Sequence, residues 1–531
     1  MPKLTINGKT VTCDAGTPLI EAAKQVGEHI PYFCYHPSLT RPASCRMCLV
    51  EVEKAPKLMP ACYTTVAEGM VVLTKSDKVI RARKAVLEFL LLNHPVDCPI
   101  CDQAGECTLQ NLYFEYSAQE SRLKTRKVNK VKAFPIGPEV VYDGERCVLC
   151  TRCVRFCEQI TKTNELTTTQ RADMTEIRPF PGRELDNDYS QCTVDLCPVG
   201  ALTSRNFRFK CRVWYLDTTE SICTGCARGC STYLEHFRGE VQRFRPRTNP
   251  EINSYWMCDH GRRLYREPHE DRLLNPFIKG VGAVPRNKGL AEAVKRLKAF
   301  RDAGRANKLA VVLSPQGSNE GLFSLIRFAL KYGVERFYMN GKPDTAFTLR
   351  NEPDKVADDF LIVADKNPNT TGLRRLAEAF GITVLSAASL AADLESKKVD
   401  SAFILGANFP LDLDKKSKLW QKLEDADLVI FLGQRATPFT TLAHVSLPSC
   451  SFAEKQGSYI NIDGIRQVAK AAFEPHGLSQ PDWKWIERLS LRLQLGWEYE
   501  NFEDLEAAAN AKLAAPPAKE LEEDKNAPAQ T

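Results

Sequence analysis

Nineteen of the twenty cysteines lie between Cys13 and Cys258, and only Cys450 follows them. Most fall into four sets. Cys34, Cys45, Cys48 and Cys62 come first, then NHPVDCPICDQAGEC with His94, Cys98, Cys101 and Cys107. RCVLCTRCVRFCE supplies Cys147, Cys150 and Cys153, with Cys197 and Pro198 further on in DLCPVGAL. ICTGCARGC supplies Cys223, Cys226 and Cys230, with Cys258 in WMCDHGR. The chain starts directly in an alternating strand pattern, MPKLTINGKTVTC, without the charged, apolar and cleavage regions of a signal peptide. It is therefore expected to stay in the cytoplasm, where such thiols are metal ligands before they are disulfides.

The spacing narrows the metal. In the first set the intervals are ten, two and thirteen residues. A plant-type ferredoxin has four where this chain has ten, so four thiolates with a widened first loop indicate a [2Fe–2S] cluster. In the second set an imidazole replaces one thiolate of a [4Fe–4S] cube, as imidazole does in Rieske centres. Being neutral, it makes the cluster easier to reduce. Gly105 lets the loop turn tightly there, and zinc held by three cysteines and a histidine is the alternative for this motif taken alone. The third set has the triple of a bacterial ferredoxin with its remote Cys-Pro. Cys157 is followed by Glu158, not proline, and no second triple follows, so a two-cluster ferredoxin fold that keeps one cube is expected, with Cys157 and Cys192 as bystanders. Two cubes are the alternative. The fourth set makes a third [4Fe–4S] cluster. Cys13, Cys157, Cys192, Cys211 and Cys450 are left as small buried hydrophobes. Zinc sites have no reason to repeat ferredoxin spacing four times in series.

The rest of the pattern sets the architecture: multidomain, α+β in front and α/β behind. KLTING and KTVTC flank an Asn-Gly turn, PLIEAAKQVG reads as a helix opened by Pro18 and closed by Gly27, and LVEVE and MVVLT are later strands. Ser76 caps a helix through VIRARKAVLEFLLLN that should end near His94, because Pro95 follows. From about residue 305, KLAVVLSP, GLFSLIRFALKYG, DDFLIVAD, SAFILGAN and DLVIFLG alternate short apolar strands with helices, an α/β domain with a largely parallel sheet. DWKWIERLSLRL is expected to be its last helix, and the alanine, proline and charge beyond it a disordered tail. Expected boundaries are 1–78, 79–137, 138–215, 216–272, 273–505 and the tail 506–531.

Several functions are excluded. The net charge of +6 is a mild excess, and the basic run RLKTRKVNKVK, without aromatics, reads as a solvated or partner-facing segment, not a nucleic-acid site. No GxGxxG opens a helix after a strand and no GxxxxGK[ST] is present, so neither NADH nor ATP is expected to bind. AVLEFLLL is far short of the roughly 18 apolar residues of a membrane span. Four redox centres in series make a wire, and electrons enter and leave through protein surfaces.

In the order of its motifs the chain resembles the large iron–sulfur subunit (the G subunit, 75 kDa type) of bacterial respiratory complex I, NADH:quinone oxidoreductase. The resemblance is close to about residue 270 and looser beyond. It implies a β-grasp [2Fe–2S] ferredoxin domain, a His-Cys cluster domain, a ferredoxin-like [4Fe–4S] domain and a molybdopterin-oxidoreductase-like domain. It implies that Cys34, Cys45, Cys48 and Cys62 hold the cluster where electrons enter, that Cys147, Cys150, Cys153 and Cys197 follow, and that His94, Cys98, Cys101 and Cys107 form the exit. Cys223, Cys226, Cys230 and Cys258 then hold an off-route cube. Implied partners are a flavin subunit carrying NADH and FMN, a thioredoxin-like [2Fe–2S] subunit, a ferredoxin-like two-cluster subunit and other peripheral-arm subunits, on the cytoplasmic side of the inner membrane. HVSLPSCSFAEKQGSYINIDGIRQ resembles molybdopterin oxidoreductases. Active relatives carry Lys-Gly-Arg after the last cluster cysteine, whereas here His260, Gly261 and Arg262 follow, so a relict scaffold without molybdopterin is expected. The alternatives are a subunit of a soluble NAD-linked hydrogenase or formate dehydrogenase, and an active molybdenum enzyme.

Overall fold

The protein is represented by a computed structural model that describes residues 1–116, 120–406, 415 and 417–514. It divides into two compact units, one ending at Leu216 and one starting at Asp217.

The first unit opens with a hairpin of β1 (Lys3–Ile6) and β2 (Lys9–Thr12). Asn7 and Gly8 both have positive φ, 48° and 82°, as a type I′ turn requires. β3 (Leu49–Val52), β4 (Met59–Pro60) and β5 (Val71–Leu73) complete a sheet of order β2-β1-β5-β3-β4, with β1 and β5 parallel. Its inward residues Leu4, Ile6, Val50 and Val72 pack with Leu19, Ile20, Ala22 and Ala23 of α1 (Leu19–Gln25), the β-grasp arrangement. α2 (Asp77–Leu91) starts where the Ser76 hydroxyl accepts the Val79 N–H and stops just before His94. After α3 (Thr108–Tyr116) come β6 (Phe134–Pro135), β7 (Val140–Tyr142), α4 (Arg152–Gln159), β8 (Leu166–Thr169), β9 (Glu176–Pro179), α5 (Cys192–Leu196) and β10 (Leu202–Ser204), in two small sheets.

The basic run is not merely a solvated segment. Lys127 Nζ donates to the carbonyls of Leu91 (2.9 Å) and His94 (2.6 Å), Arg122 grips Glu88 with two hydrogen bonds, and Lys132 pairs with Asp97 and Glu145. The cation satisfies carbonyls that a helix C-terminus leaves open, and the run fastens the backbone of His94.

The second unit begins with a meander of β11 (Asp217–Ile222), β12 (Ser231–Phe237) and β13 (Glu240–Pro246), then α6 (Asp259–Arg263). Behind it stands an eight-stranded sheet. β14 (Phe277–Ile278) and β15 (Gly282–Ala283) form its edge. The parallel part comprises β16 (Leu309–Leu313), β17 (Arg336–Met339), β18 (Val384–Ser386), β19 (Ser401–Gly406), β20 (Leu428–Gly433) and β21 (Val445–Pro448), in the order β18-β17-β16-β19-β20-β21. Numbered from β16 this is 3-2-1-4-5-6, doubly wound. Alternate strand residues enter opposite cores: Val311, Phe403 and Ile430 meet α7 (Arg286–Asp302), α8 (Asn319–Tyr332) and α9 (Thr370–Phe380), while Val312, Ile404 and Val429 meet α10 (Ala387–Glu395), α11 (Lys418–Glu424) and α12 (Pro438–Leu442). With both faces covered, the strands read as unbroken apolar runs. β22 (Gly457–Ile460), β23 (Arg466–Ala469) and α13 (Asp482–Arg492) follow.

α13 is not the last helix. α14 (Phe502–Ala514) occupies the start of the expected tail and buries Leu505 and Ala509 in the core shared with α8 and α9. Ala508 and Leu513 pack partly buried against the same core, in an alanine-rich segment with high helix propensity. Residues 515–531, the rest of the expected tail, lie outside the described residues.

Candidate functional site

In the first unit each set gathers where strands and helices run out. Cys34 follows α1, Cys45 and Cys48 stand on the loop into β3, and Cys62 follows β4. Cys34, Cys48 and Cys62 are buried and Cys45 is half-buried. Their thiols meet: Cys34 engages Cys45 and Cys62, and Cys48 engages Cys62. Ala43 and Arg46 take positive φ (52° and 57°), which winds this loop around the thiols.

Cys147, Cys150, Cys153 and Cys197 line one cavity, walled by Tyr142, Ile177 and Leu202. Leu149 and Thr151 are left-handed (φ 51° and 57°), so the CxxCxxC loop coils before α4 begins. Backbone N–H groups point at the sulfurs, from Leu149 to Cys147, Arg152 to Cys150 and Val199 to Cys197. Burial pushes the thiols of Cys147 and Cys197 up to about 11 and about 12. They therefore stay protonated at neutral pH unless an electrophilic metal displaces the proton.

In the His94 set, Cys98 and Cys101 flank one 3₁₀ turn and Cys107 immediately precedes α3. The N–H groups of Leu109 and Gln110, in the first turn of α3, point at Cys107. Burial raises the Cys107 thiol to about 11 and lowers His94 to about 4. The imidazole is therefore neutral, the form that ligates metal. Gly105 has φ +91°, and a β-carbon there would lie 2.8 Å from Val213 and 2.9 Å from Trp214, so glycine is required.

The sets are joined inside this unit. Arg155 Nη2 donates to the carbonyls of Cys34 (2.6 Å) and Cys150 (3.1 Å), and Nη1 to that of Thr40 (2.5 Å). Gln159 and Thr40 exchange two further hydrogen bonds. On the other side, the N–H of Thr108, next to Cys107, donates to the carbonyl of Pro198, next to Cys197, at 3.1 Å. Cys101 lies against Gly200, where a β-carbon would meet its sulfur at 2.3 Å. The Cys147 set thus abuts both other sets.

In the second unit Cys223 follows β11, Cys230 precedes β12 and Cys258 caps α6, its sulfur accepting the Gly261 N–H at 3.3 Å. All four cysteines of this set are buried, and burial raises each thiol, Cys223 to about 12. Gly261 is needed here, since a β-carbon would lie 2.8 Å from Cys223 Sγ. Lys366, from the loop before α9, is fully buried, and its charge acts on Cys226 and Cys258. Its ammonium donates to the carbonyls of Val356 and Val363 and lies 3.9 Å from the centre of the Phe347 ring, with no carboxylate in salt-bridge range among the described residues. Asp344 and Asp358 act on this buried cation only from beyond salt-bridge range, so it favours further negative charge close by. Thiolates on an iron–sulfur cube would supply it, so these residues fit an anionic cluster.

Among the described residues no group of three or more His, Cys, Asp and Glu side chains is drawn tightly enough around one point for a single metal ion. A polynuclear cage takes its ligands at separated corners, and for it the thiol-lined cavity and the N–H groups aimed at sulfur are the relevant fit.

Four family models match in chain order: a 2Fe-2S iron-sulfur cluster binding domain at 2–77, the NADH-ubiquinone oxidoreductase-G iron-sulfur binding region at 83–122, the NADH-quinone oxidoreductase subunit 3 ferredoxin-like domain at 137–203, and molybdopterin oxidoreductase at 289–492. The G subunit of NADH-quinone oxidoreductase from Rickettsia bellii is 29% identical across 95% of this chain and 88% of its own length. The chain is similar to this G subunit along nearly its whole length. The G subunit from Streptomyces coelicolor is 40% identical over 52% of this chain and 33% of its own length. The NADH-ubiquinone oxidoreductase 75 kDa subunit of Reclinomonas americana is 36% identical over 70% of this chain and 53% of its own length. The sequence-level resemblance to this family and its domain order therefore hold. The fourth cysteine set lies between the matched spans.

Three residues beside the ligand sets were not singled out in the sequence. Arg155 sits inside RCVRFCE, where its spacing from Cys153 is the only signal. Gly200 is visible only as the glycine closing DLCPVG, and Lys366 carries no local signal.

Proposed function

We propose that the chain relays single electrons within complex I, from a flavin subunit towards quinone. Binding of [2Fe–2S] and [4Fe–4S] clusters belongs to the matched families. The finer assignment is Cys34, Cys45, Cys48 and Cys62 for one [2Fe–2S] cluster, with three [4Fe–4S] clusters on the Cys147, His94 and Cys223 sets. The observation that carries it is the position of the Cys147 set, in hydrogen-bond contact with the Cys34 set through Arg155 and with the His94 set through Thr108 and Pro198. That geometry supports the order Cys34 set, Cys147 set, His94 set. The clusters supply the one-electron chemistry. The protein's own residues fix them, aim N–H dipoles at their sulfurs and keep water out. Val96, Ile100, Phe114 and Trp214 are exposed around the His94 set and support docking of the ferredoxin-like acceptor subunit there.

The doubly wound domain serves as scaffold. Its crevice at the carboxyl ends of β16, β20 and β21, where open α/β sheets bind ligands, has a cavity volume of only about 30 Å³. A drug-sized ligand already takes roughly 300–1,000 Å³, and two pterin dinucleotides need more. Lys455 and Asp482 form an ion pair within it. No helix among the described residues is long and apolar enough to cross a membrane, which agrees with a peripheral position reached through the complex. The expected domain boundaries are retained as part of this proposal, except that α14 carries the α/β domain on to Ala514.

The test is reduction by NADH of the anaerobically purified chain, alone and with the flavin subunit. Bleaching only with the flavin subunit present supports the relay. NADH oxidation by the chain alone refutes it.

A further inference from the structure

Arg155 is only 7% exposed. Its three donor nitrogens bond the carbonyls of Cys34, Cys150 and Thr40 and the hydroxyl of Thr151, and it makes no ion pair with a carboxylate among the described residues. Guanidinium stays charged at any pH a protein survives, so a permanent cation is locked between two sets of cysteines. Two backbone carbonyls that it bonds belong to cysteines of different sets, which are 116 positions apart in the chain and meet at this one side chain.

A buried cation is costly unless negative charge faces it. Cys34, Cys150 and Cys153 are the acidic groups whose charge acts on Arg155, opposed by Arg152, whose own guanidinium bonds the carbonyl of Leu196 beside Cys197. In the loaded protein the negative charge there is that of the two clusters. Each gains one electron on reduction and loses it on oxidation, and no bond forms or breaks. A fixed cation favours the reduced, more negative state of whichever cluster holds the electron, and it does so for both because it bonds a ligand residue of each.

We propose that Arg155 is a shared electrostatic positioning residue, which raises the reduction potentials of the [2Fe–2S] cluster and the adjacent [4Fe–4S] cluster together while it holds their ligand loops in register. This rests on the cluster assignment of the Cys34 and Cys147 sets.

The same boundary contains its own control. Gln159 and Thr40 join the two ligand loops by neutral hydrogen bonds at 2.8 and 2.9 Å. Gln159→Ala therefore loosens the brace without touching the charge.

The experiment is an EPR-monitored redox titration of the full chain, anaerobically purified, for the native protein, Arg155→Gln, Arg155→Lys and Gln159→Ala. Absence of both signals from the native protein refutes the cluster assignment itself. With the signals present, Arg155→Gln is expected to lower both potentials, Arg155→Lys to stay near native, and Gln159→Ala to leave both unchanged. Unchanged potentials in Arg155→Gln, a shift at one cluster only, or an equal shift in Gln159→Ala overturns the proposal. If Arg155→Gln loses the two signals and Arg155→Lys keeps them, the charge is again the cause. If Arg155→Lys loses them too, the role is steric and the proposal fails.

Discussion

Replacing Gly200 by alanine puts a methyl group into the seam between two ligand sets. Its β-carbon would stand 2.3 Å from Cys101 Sγ and 3.1 Å from the Gln103 β-carbon, with Arg146 Cδ at 3.7 Å behind. Ordinary contact between such atoms begins at about 3.5 Å, so Cys101 must retreat by more than 1 Å. Gly200 itself cannot easily move, because Pro198 is tied to Thr108 and Cys197 belongs to the neighbouring set. Overpacking of this size costs about 1–3 kcal/mol in a core. Here the displaced atom is a proposed metal ligand, and an iron–sulfur bond does not stretch by an ångström, so the penalty falls on one cluster. Gly200→Ala is expected to fold, keep the [2Fe–2S] cluster and the Cys147 cube, and lose the His94 cube. Iron should fall by about four per chain, with one [4Fe–4S] signal missing at low temperature. Full iron with native spectra would show that Cys101 is not a ligand, or that the seam is far looser than its geometry.

Other consequences follow from the same sites. His94→Cys should retain a cluster at lower potential, because an anionic ligand replaces a neutral one, and an unchanged potential would count against ligation by His94. Lys366→Met removes the buried ammonium beside Cys226 and Cys258, so the fourth cube should titrate at lower potential or be lost, whereas a native titration would mean that the cation answers to something else. The cluster-free chain should lose stability as pH rises. Its unfolded thiols ionise near 8.5, whereas Cys147 and Cys197 are held up at about 11 and about 12 in the fold. Their contribution is complete below about pH 8.5 and fades towards pH 11 to 12, because only the unfolded chain releases protons in that window. Thermal melts of the iron-starved chain should show Tm falling across pH 8 to 10, and a rising Tm would contradict the burial of these thiols.

Much of the architecture could be read locally. Asn7-Gly8 specifies its turn through backbone preference, Ser76 its helix start through one hydroxyl, and the ligand spacing its clusters through the reach of a loop. The continuous apolar strands from Leu309 to Leu447 announce a sheet covered on both faces. What could not be read depends on partners distant in sequence. Arg155 and Lys366 look like any surface cation until the fold buries them against the cysteine sets, and Gly200 looks like a turn glycine until Cys101 is seen beside it. The basic run is largely exposed, as expected, but charge alone does not reveal that Lys127 also holds the helix end and Lys132 pairs with Asp97. α14 was missed because its apolar contacts are few and mostly alanine, so the segment reads as a tail until the core receives it.

The most direct measurement is iron and acid-labile sulfide in the anaerobically purified full chain, with low-temperature EPR on stepwise reduction. Sixteen ligands in four cages correspond to about fourteen irons, matched by sulfide, with one [2Fe–2S] and three [4Fe–4S] signals. A colourless protein free of sulfide and carrying stoichiometric zinc would contradict the relay at its root.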